Sequence, residues 1–171
     1  MKTLTRYSEI LKHLPRSGWV HKNISNPETV AAHSWQMSLL AIYLAKDYGK
    51  EYDFEKVIKL CICHDLGESM IGDITPKEEA YKNKPSQELS AIRKLSSSAD
   101  FPELLSLFEE FELKQTKEAM LATDLDAIDM YIQAKDYVTK YPKTDLTEFF
   151  QSAERKIKTA LGKKLLSELK A

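Results

Sequence analysis

Apolar residues recur along most of this chain at intervals of three and four, and the strict alternation that marks strands is scarce. Val30, Met37, Leu40 and Leu44 form one stripe, and His33 falls on it. Val57, Leu60 and His64 form a second, and Leu121, Leu125, Ile128 and Ile132 a third. The spacing predicts a short helix over residues 3–13, ended by Pro15, and a long one starting near Glu28 and closed by Gly49. Asn26 and Pro27 read as the cap and first-turn proline of that long helix, and Trp35 and Met37 read as core residues on it. Asp53 reads as the cap of the next helix. Further helices are expected over 86–98, 102–114, 116–138 and 145–161, with a short terminal one after Gly162. Two irregular stretches remain, "PRSGWVHKNISNPE" and "GDITPKEEAYKNKP".

This pattern implies an all-α protein, and 171 residues suit one compact helical bundle spanning 1–171. Its core is expected within about 5–140, with C-terminal helices over 145–170 packing on it. A net charge of −1 and no basic helix argue against nucleic acid as a partner, and against an anionic membrane surface. No run approaches the roughly 18–20 apolar residues that cross a bilayer. The N-terminal stretch lacks the pattern of a signal peptide, so a cytoplasmic location is expected. Cys61 and Cys63, two apart in an apolar segment, read as buried free thiols.

The chemistry enters at "CICHDLGESMIGDITP", residues 61–76. His64 is followed by Asp65, and Glu68 sits one turn further along. A carboxylate beside a core-facing histidine is costly unless it is paired or bound to metal. Imidazole nitrogen with carboxylate oxygen suits a divalent transition metal. A further carboxylate should come from "ATDLDAIDMYIQA" at 122–134, where Asp124, Asp126 and Asp129 are all candidates. Spacing alone does not choose among the three.

A lone His, a His-Asp pair about thirty residues later, and a distant helical Asp resemble the HD-domain metal-dependent phosphohydrolases. The stretches "PRSGWVHKN", "PETVAAHSW", "HDLGESMIGDITP" and "LDAIDMYIQA" resemble the branch that dephosphorylates deoxyribonucleoside 5′-monophosphates. The resemblance covers roughly residues 5–140, and the last thirty add little to it. It implies one divalent cation (manganese, cobalt, magnesium, iron or zinc) held by His33, His64, Asp65 and Asp126. It implies that Glu68 and Asp73 are catalytic, with Glu68 handling protons and Asp73 contacting the sugar 3′-hydroxyl. Trp19 matches an aromatic wall that disfavours a 2′-hydroxyl. Arg16 is assigned to the phosphate, with Lys77 or Lys22 sharing that role, because Gly18 stands where bacterial relatives carry an arginine. The partner is then a small nucleotide, and a homodimer is a possible assembly.

Two other readings have distinct consequences. The same chemistry could serve another phosphate ester or nucleotide, although Ser69 after Glu68 departs from the alarmone hydrolases of the superfamily. Alternatively, the site could belong to a non-catalytic metal-binding helical module, for which Glu68 would have no use. Only His13 and His21 remain beyond His33 and His64, which favours one metal over two.

Overall fold

A computed structural model describes residues 1–171 as helices and connecting turns, with one isolated antiparallel bridge between Pro15 and Thr29. The helices are α1 (Lys2–Leu11), α2 (Ser17–Val20), α3 (Val30–Tyr48), α4 (Phe54–Cys63), α5 (Glu68–Ile71), α6 (Lys84–Ala99), α7 (Glu103–Leu113), α8 (Lys117–Lys140), α9 (Thr147–Lys156) and α10 (Ala160–Lys170). A 3-10 turn over Glu79–Asn83 leads into α6.

The bundle is built around α8. Its small buried residues, Ala119, Ala122, Ala127 and Ala134, let neighbours approach on several sides. On one side Leu121, Ala122 and Leu125 join Val30, Met37, Ala41 and Leu44 of α3 and Val57, Leu60 and Cys61 of α4. On the other, Ala127, Ile128 and Tyr131 pack against Ala153, Ile157 and Leu166 of the C-terminal segment. Cys61 and Cys63 are free and buried, and apolar burial raises both thiols above their ordinary range.

Several boundaries differ from the expected ones, each for a local reason. Helix α3 starts at Val30 with Thr29 as its cap, not at Asn26–Pro27, and Thr29 Oγ1 accepts from the Ala32 N–H. The intervening chain is held extended, because Arg16 N–H donates to Glu28 O and Val30 N–H to Leu14 O. The helix expected over 145–161 stops at Lys156, where Ile157 turns extended and buries its side chain. The next two backbone N–H groups, of Lys158 and Thr159, both donate to the Asp124 carboxylate at 2.8 Å. Gly162 therefore lies inside α10 rather than before it, capped by Thr159 Oγ1. A Cβ there would come within 2.8 Å of Asp124 Cγ, so this turn approaches α8 too closely for a side chain. The stretch 72–85 is only partly a loop, since it contains the 3-10 turn and the first two residues of α6.

Trp35 departs from its expected place. Met37 is buried, but Trp35 is 62% exposed and shares an apolar face of α3 with Leu39, Ile42 and Tyr43. The apolar pattern on α3 covers more than one face, and only neighbouring helices select which face is buried.

Asp124→Ala should lower the unfolding free energy by about 2–3 kcal/mol, because it strands two backbone donors and the Thr159 hydroxyl. Gly162→Ala should cost about 1–3 kcal/mol through the same contact. Urea denaturation measures both, and unchanged midpoints would show that the carboxylate does not anchor α10.

Candidate metal centre and active site

Three chain segments converge on one cavity of about 570 Å³. The first turn of α3 contributes His33, which is fully buried beside the cavity and is not itself part of its lining. The α4–α5 junction contributes His64 at the helix C-cap, then Asp65, then Glu68 at the start of α5. These residues do not lie on one continuous helix. The chain turns between them, with Glu68 N–H donating to Asp65 O at 3.0 Å, and all three side chains line the cavity. Helix α8 contributes three aspartates that point three ways. Asp124 anchors α10, Asp129 Oδ2 accepts from His33 Nδ1 at 2.6 Å, and Asp126 Oδ1 lies 3.4 Å from His33 Nε2.

His33, His64 and Asp126 each present one ligand-type atom, and these atoms lie within 4.8 Å of one another. Asp65 Oδ2 adjoins them, 3.1 Å from His64 Nε2 and 3.9 Å from His33 Nε2. His64 Nδ1 donates to Cys61 O at 2.9 Å, which leaves Nε2 facing the cluster. His33 Nε2 is buried and has no hydrogen-bond partner. Burial and the Arg16 charge both disfavour an imidazolium at His33, yet Asp126 and Asp129 outweigh them and bring its pKa up to about 10. Whatever favours a second proton at Nε2 also favours a cation there.

Arg16 reaches this cluster from the loop before α2. Its Nη1 donates to Asp65 Oδ2 at 3.0 Å, and Nη2 lies 3.9 Å from Asp126 Oδ1. Burial opposes a charge on each of these carboxylates. His64 and Arg16 nonetheless hold Asp65 below the usual carboxylate range, and Lys156, His33 and Arg16 do the same for Asp126. Glu68 goes the other way, because burial and the charges of Asp65 and Asp73 push its carboxyl well above the usual range. It is 1% exposed, and Lys84 Nζ donates to its Oε1 at 2.9 Å.

Asp73 lines the cavity and accepts the Ser17 N–H at 2.6 Å, tying the stretch after α5 to the start of α2. Trp19 also lines it. Its ring stacks on Phe149 at 4.1 Å and meets Tyr137 edge-on, and its Nε1–H donates to Glu28 Oε1. Gly18 sits against Phe149, where a Cβ would meet the ring at 3.1 Å, so a side chain there would have to shift that ring by a few tenths of an ångström. Lys77 lies at the edge of this group, since its partner Glu148 is a lining residue. It is not among the lining residues, and it pairs with Glu148 at the surface, as Lys22 does.

Other lining residues carried no sequence signal. Lys84 lies in a stretch that reads as a solvated loop, and Phe149, Arg155 and Lys156 belong to the C-terminal thirty residues. Lys156 Nζ lies 3.5 Å from Asp126 Oδ2. Asp129 was one of three equal candidates, and only the packing of α8 against α3 separates its direction from that of Asp126.

The HD domain family model matches residues 8–165. The chain belongs to the HD domain family. Among HD proteins it is 36% identical to 5′-deoxynucleotidase HDDC2 of Dictyostelium discoideum, over 94% of this chain and 92% of that protein. It is 37% identical to 5′-deoxynucleotidase HDDC2 of Danio rerio, over 85% of this chain and 74% of that protein. A solved structure described as a conserved hypothetical protein from Pyrococcus furiosus superposes with a TM-score of 0.85 at 35% identity, covering 99% of this chain and 96% of that one. The HD domain implies dependence on a divalent metal, and the chain's residues fit one. A buried histidine nitrogen without a partner faces a second imidazole and carboxylate oxygens, a nitrogen and oxygen set that suits first-row divalent ions.

Glu88 provides a pH test of the surrounding charge. Burial raises its carboxyl up to about 7 despite the Lys84 cation beside it. The folded state then binds a proton that the unfolded chain releases near its ordinary value. The stability contribution is therefore full below about 4.5 and is lost as pH rises to about 7. Glu88→Gln should flatten the fall in stability across that window by about 1–3 kcal/mol. Urea titrations at several pH values would measure this, and parallel curves for the two proteins would contradict it.

Proposed function

We propose that this protein removes the 5′-phosphate from deoxyribonucleoside 5′-monophosphates, giving deoxynucleoside and inorganic phosphate in a single displacement by water. The observation that carries the reading is the partnerless buried His33 Nε2, which faces His64 and Asp126 beside a cavity that these two line together with Arg16 and Glu68. Relatives named 5′-deoxynucleotidase match nearly the whole chain and supply the substrate class.

In this reading His33, His64, Asp65 and Asp126 hold one divalent cation. Such a cation acts as a Lewis acid on the phosphate and acidifies water. Arg16, already drawn in by two carboxylates, binds the phosphate through its planar guanidinium. Glu68 takes a proton from the attacking water as the oxygen–phosphorus bond forms, and a proton passes to O5′ as the phosphorus–O5′ bond breaks. Burial and the charges of Asp65 and Asp73 favour its protonated form, which suits a group that takes up a proton and passes it on. Asp73 accepts the sugar 3′-hydroxyl with the oxygen that Ser17 does not use. Trp19, clamped between Phe149 and Tyr137, forms a rigid wall against a 2′-hydroxyl. Asp129 holds His33 in one tautomer and orientation. Lys77, paired with Glu148 at the cavity's edge, shares the phosphate role in this reading by exchanging that carboxylate for the phosphate. A cytoplasmic setting agrees with the free cysteines and the nucleotide substrate.

A panel of phosphate esters assayed for phosphate release, with added manganese, cobalt, magnesium, iron or zinc, tests the reading. Deoxynucleoside monophosphates should be cleaved and ribonucleotides disfavoured. Cleavage of triphosphates but not monophosphates would overturn the substrate class. Glu68→Ala should lose about 10²–10⁴-fold in turnover while its metal content stays at the wild-type level.

A homodimer belongs to the same reading, and the apolar α3 face of Trp35, Leu39, Ile42 and Tyr43 is the surface available to it. Sedimentation at micromolar concentration should give twice the chain mass, and Trp35→Glu should shift it to monomer. A monomeric wild-type protein would remove this element.

A further inference from the structure

The sole cation bonded to the Glu68 carboxylate comes from outside every motif considered above. Lys84, the first residue of α6, donates to Glu68 Oε1 at 2.9 Å, and its Nζ lies 3.5 Å from Glu88 Oε1 one turn further on. Its side chain is 18% exposed, whereas most lysines of this chain that form ion pairs are more open to solvent. Glu68 Oε2, by contrast, is buried with no partner, although the residue lines the cavity. One oxygen of this carboxylate is therefore pinned, and the other is left for chemistry.

The placement has a physical cost that it must offset. Burying an ammonium and two carboxylates removes all three from water, and only mutual pairing makes that tolerable. Lys84 is held by α6 through Glu88 and by the 3-10 turn that ends at Asn83, so its position is set by backbone as well as by charge. Glu68 begins the four-residue helix α5, which has no side-chain cap and is followed by Gly72 in a left-handed conformation. The ion pair with Lys84 fixes one oxygen of the Glu68 side chain from a second helix.

We propose that Lys84, steadied by Glu88, is a positioning residue that fixes Glu68 through Oε1 so that Oε2 exchanges protons with the attacking water and the leaving O5′. The inference rests on the functional reading above, which makes Glu68 the proton-transfer group. It adds a dependence of the reaction on α6, an element that holds none of the assigned site residues.

The experiment uses the full chain loaded with metal and a deoxynucleoside monophosphate, comparing wild type, Lys84→Met, Lys84→Arg and Glu88→Gln. Lys84→Met should lower kcat by about 10–100-fold, the usual effect of removing a group that orients a reacting side chain, while KM and metal content stay within about twofold. Lys84→Arg should recover most of the loss, and Glu88→Gln should lose less than Lys84→Met in the same parameter. A crystal structure of Lys84→Met should show the Glu68 carboxylate moved or in more than one rotamer. Wild-type kcat in Lys84→Met would overturn the inference. A loss confined to KM would do so as well, since that marks a phosphate contact. If wild type releases no phosphate from any deoxynucleotide, the functional reading fails. The structure of Lys84→Met then decides the positioning by itself, and an unmoved Glu68 overturns it. Should Lys84→Met not fold, the Arg and Gln variants carry the same comparison.

Discussion

His33 and Asp129 meet at 2.6 Å with both side chains fully buried between α3 and α8, and the rest of the site depends on that contact. A carboxylate and an imidazole removed from water must be paired or the helices separate. Bonding Asp129 Oδ2 through Nδ1 turns His33 Nε2 toward Asp126, where it has no hydrogen-bond partner within the protein. The same contact sets the rotation of α8. With Asp129 facing α3, Asp126 faces the cavity and Asp124 faces the start of α10.

Around this pair the charges are arranged so that neighbouring carboxylates behave differently. Asp65 and Asp126 share Arg16 and the imidazoles and remain ionised. Glu68, four residues beyond His64, is more deeply buried and is surrounded by like charges, with Lys84 as its bonded cation. The carboxylates are thereby separated into ones held ionised and one favoured in its protonated form. No single residue produces this separation. It follows from which groups each carboxylate faces after the bundle closes.

The C-terminal helices belong to the site more fully than their sequence suggests. Asp124 pulls the chain from α9 into α10 through three hydrogen bonds, and this anchors the end of α9 beside the cavity. Phe149 then backs Trp19, and Lys156 approaches Asp126. The cavity wall, the helix anchor and the cluster of His33, His64 and Asp126 thus all draw on one stretch of α8 from Asp124 to Asp129.

What the sequence determined by itself is what short-range periodicity and side-chain chemistry determine. The 3.6-residue period sets the all-α class and most helix centres, and the types and spacing of His33, His64, Asp65 and Glu68 mark the chemistry. Direction in space was left to the tertiary structure. Three aspartates within six residues of α8 are equivalent until neighbours pack on different sides of it, and Trp35 reads as core until α4 and α8 occupy the other faces of α3. Lys84, Phe149 and Lys156 have no local signal, because they enter the site through contacts with residues far away in the chain. Burial is a property of the assembled helices, and it is burial that turns an ordinary lysine or aspartate into part of a site.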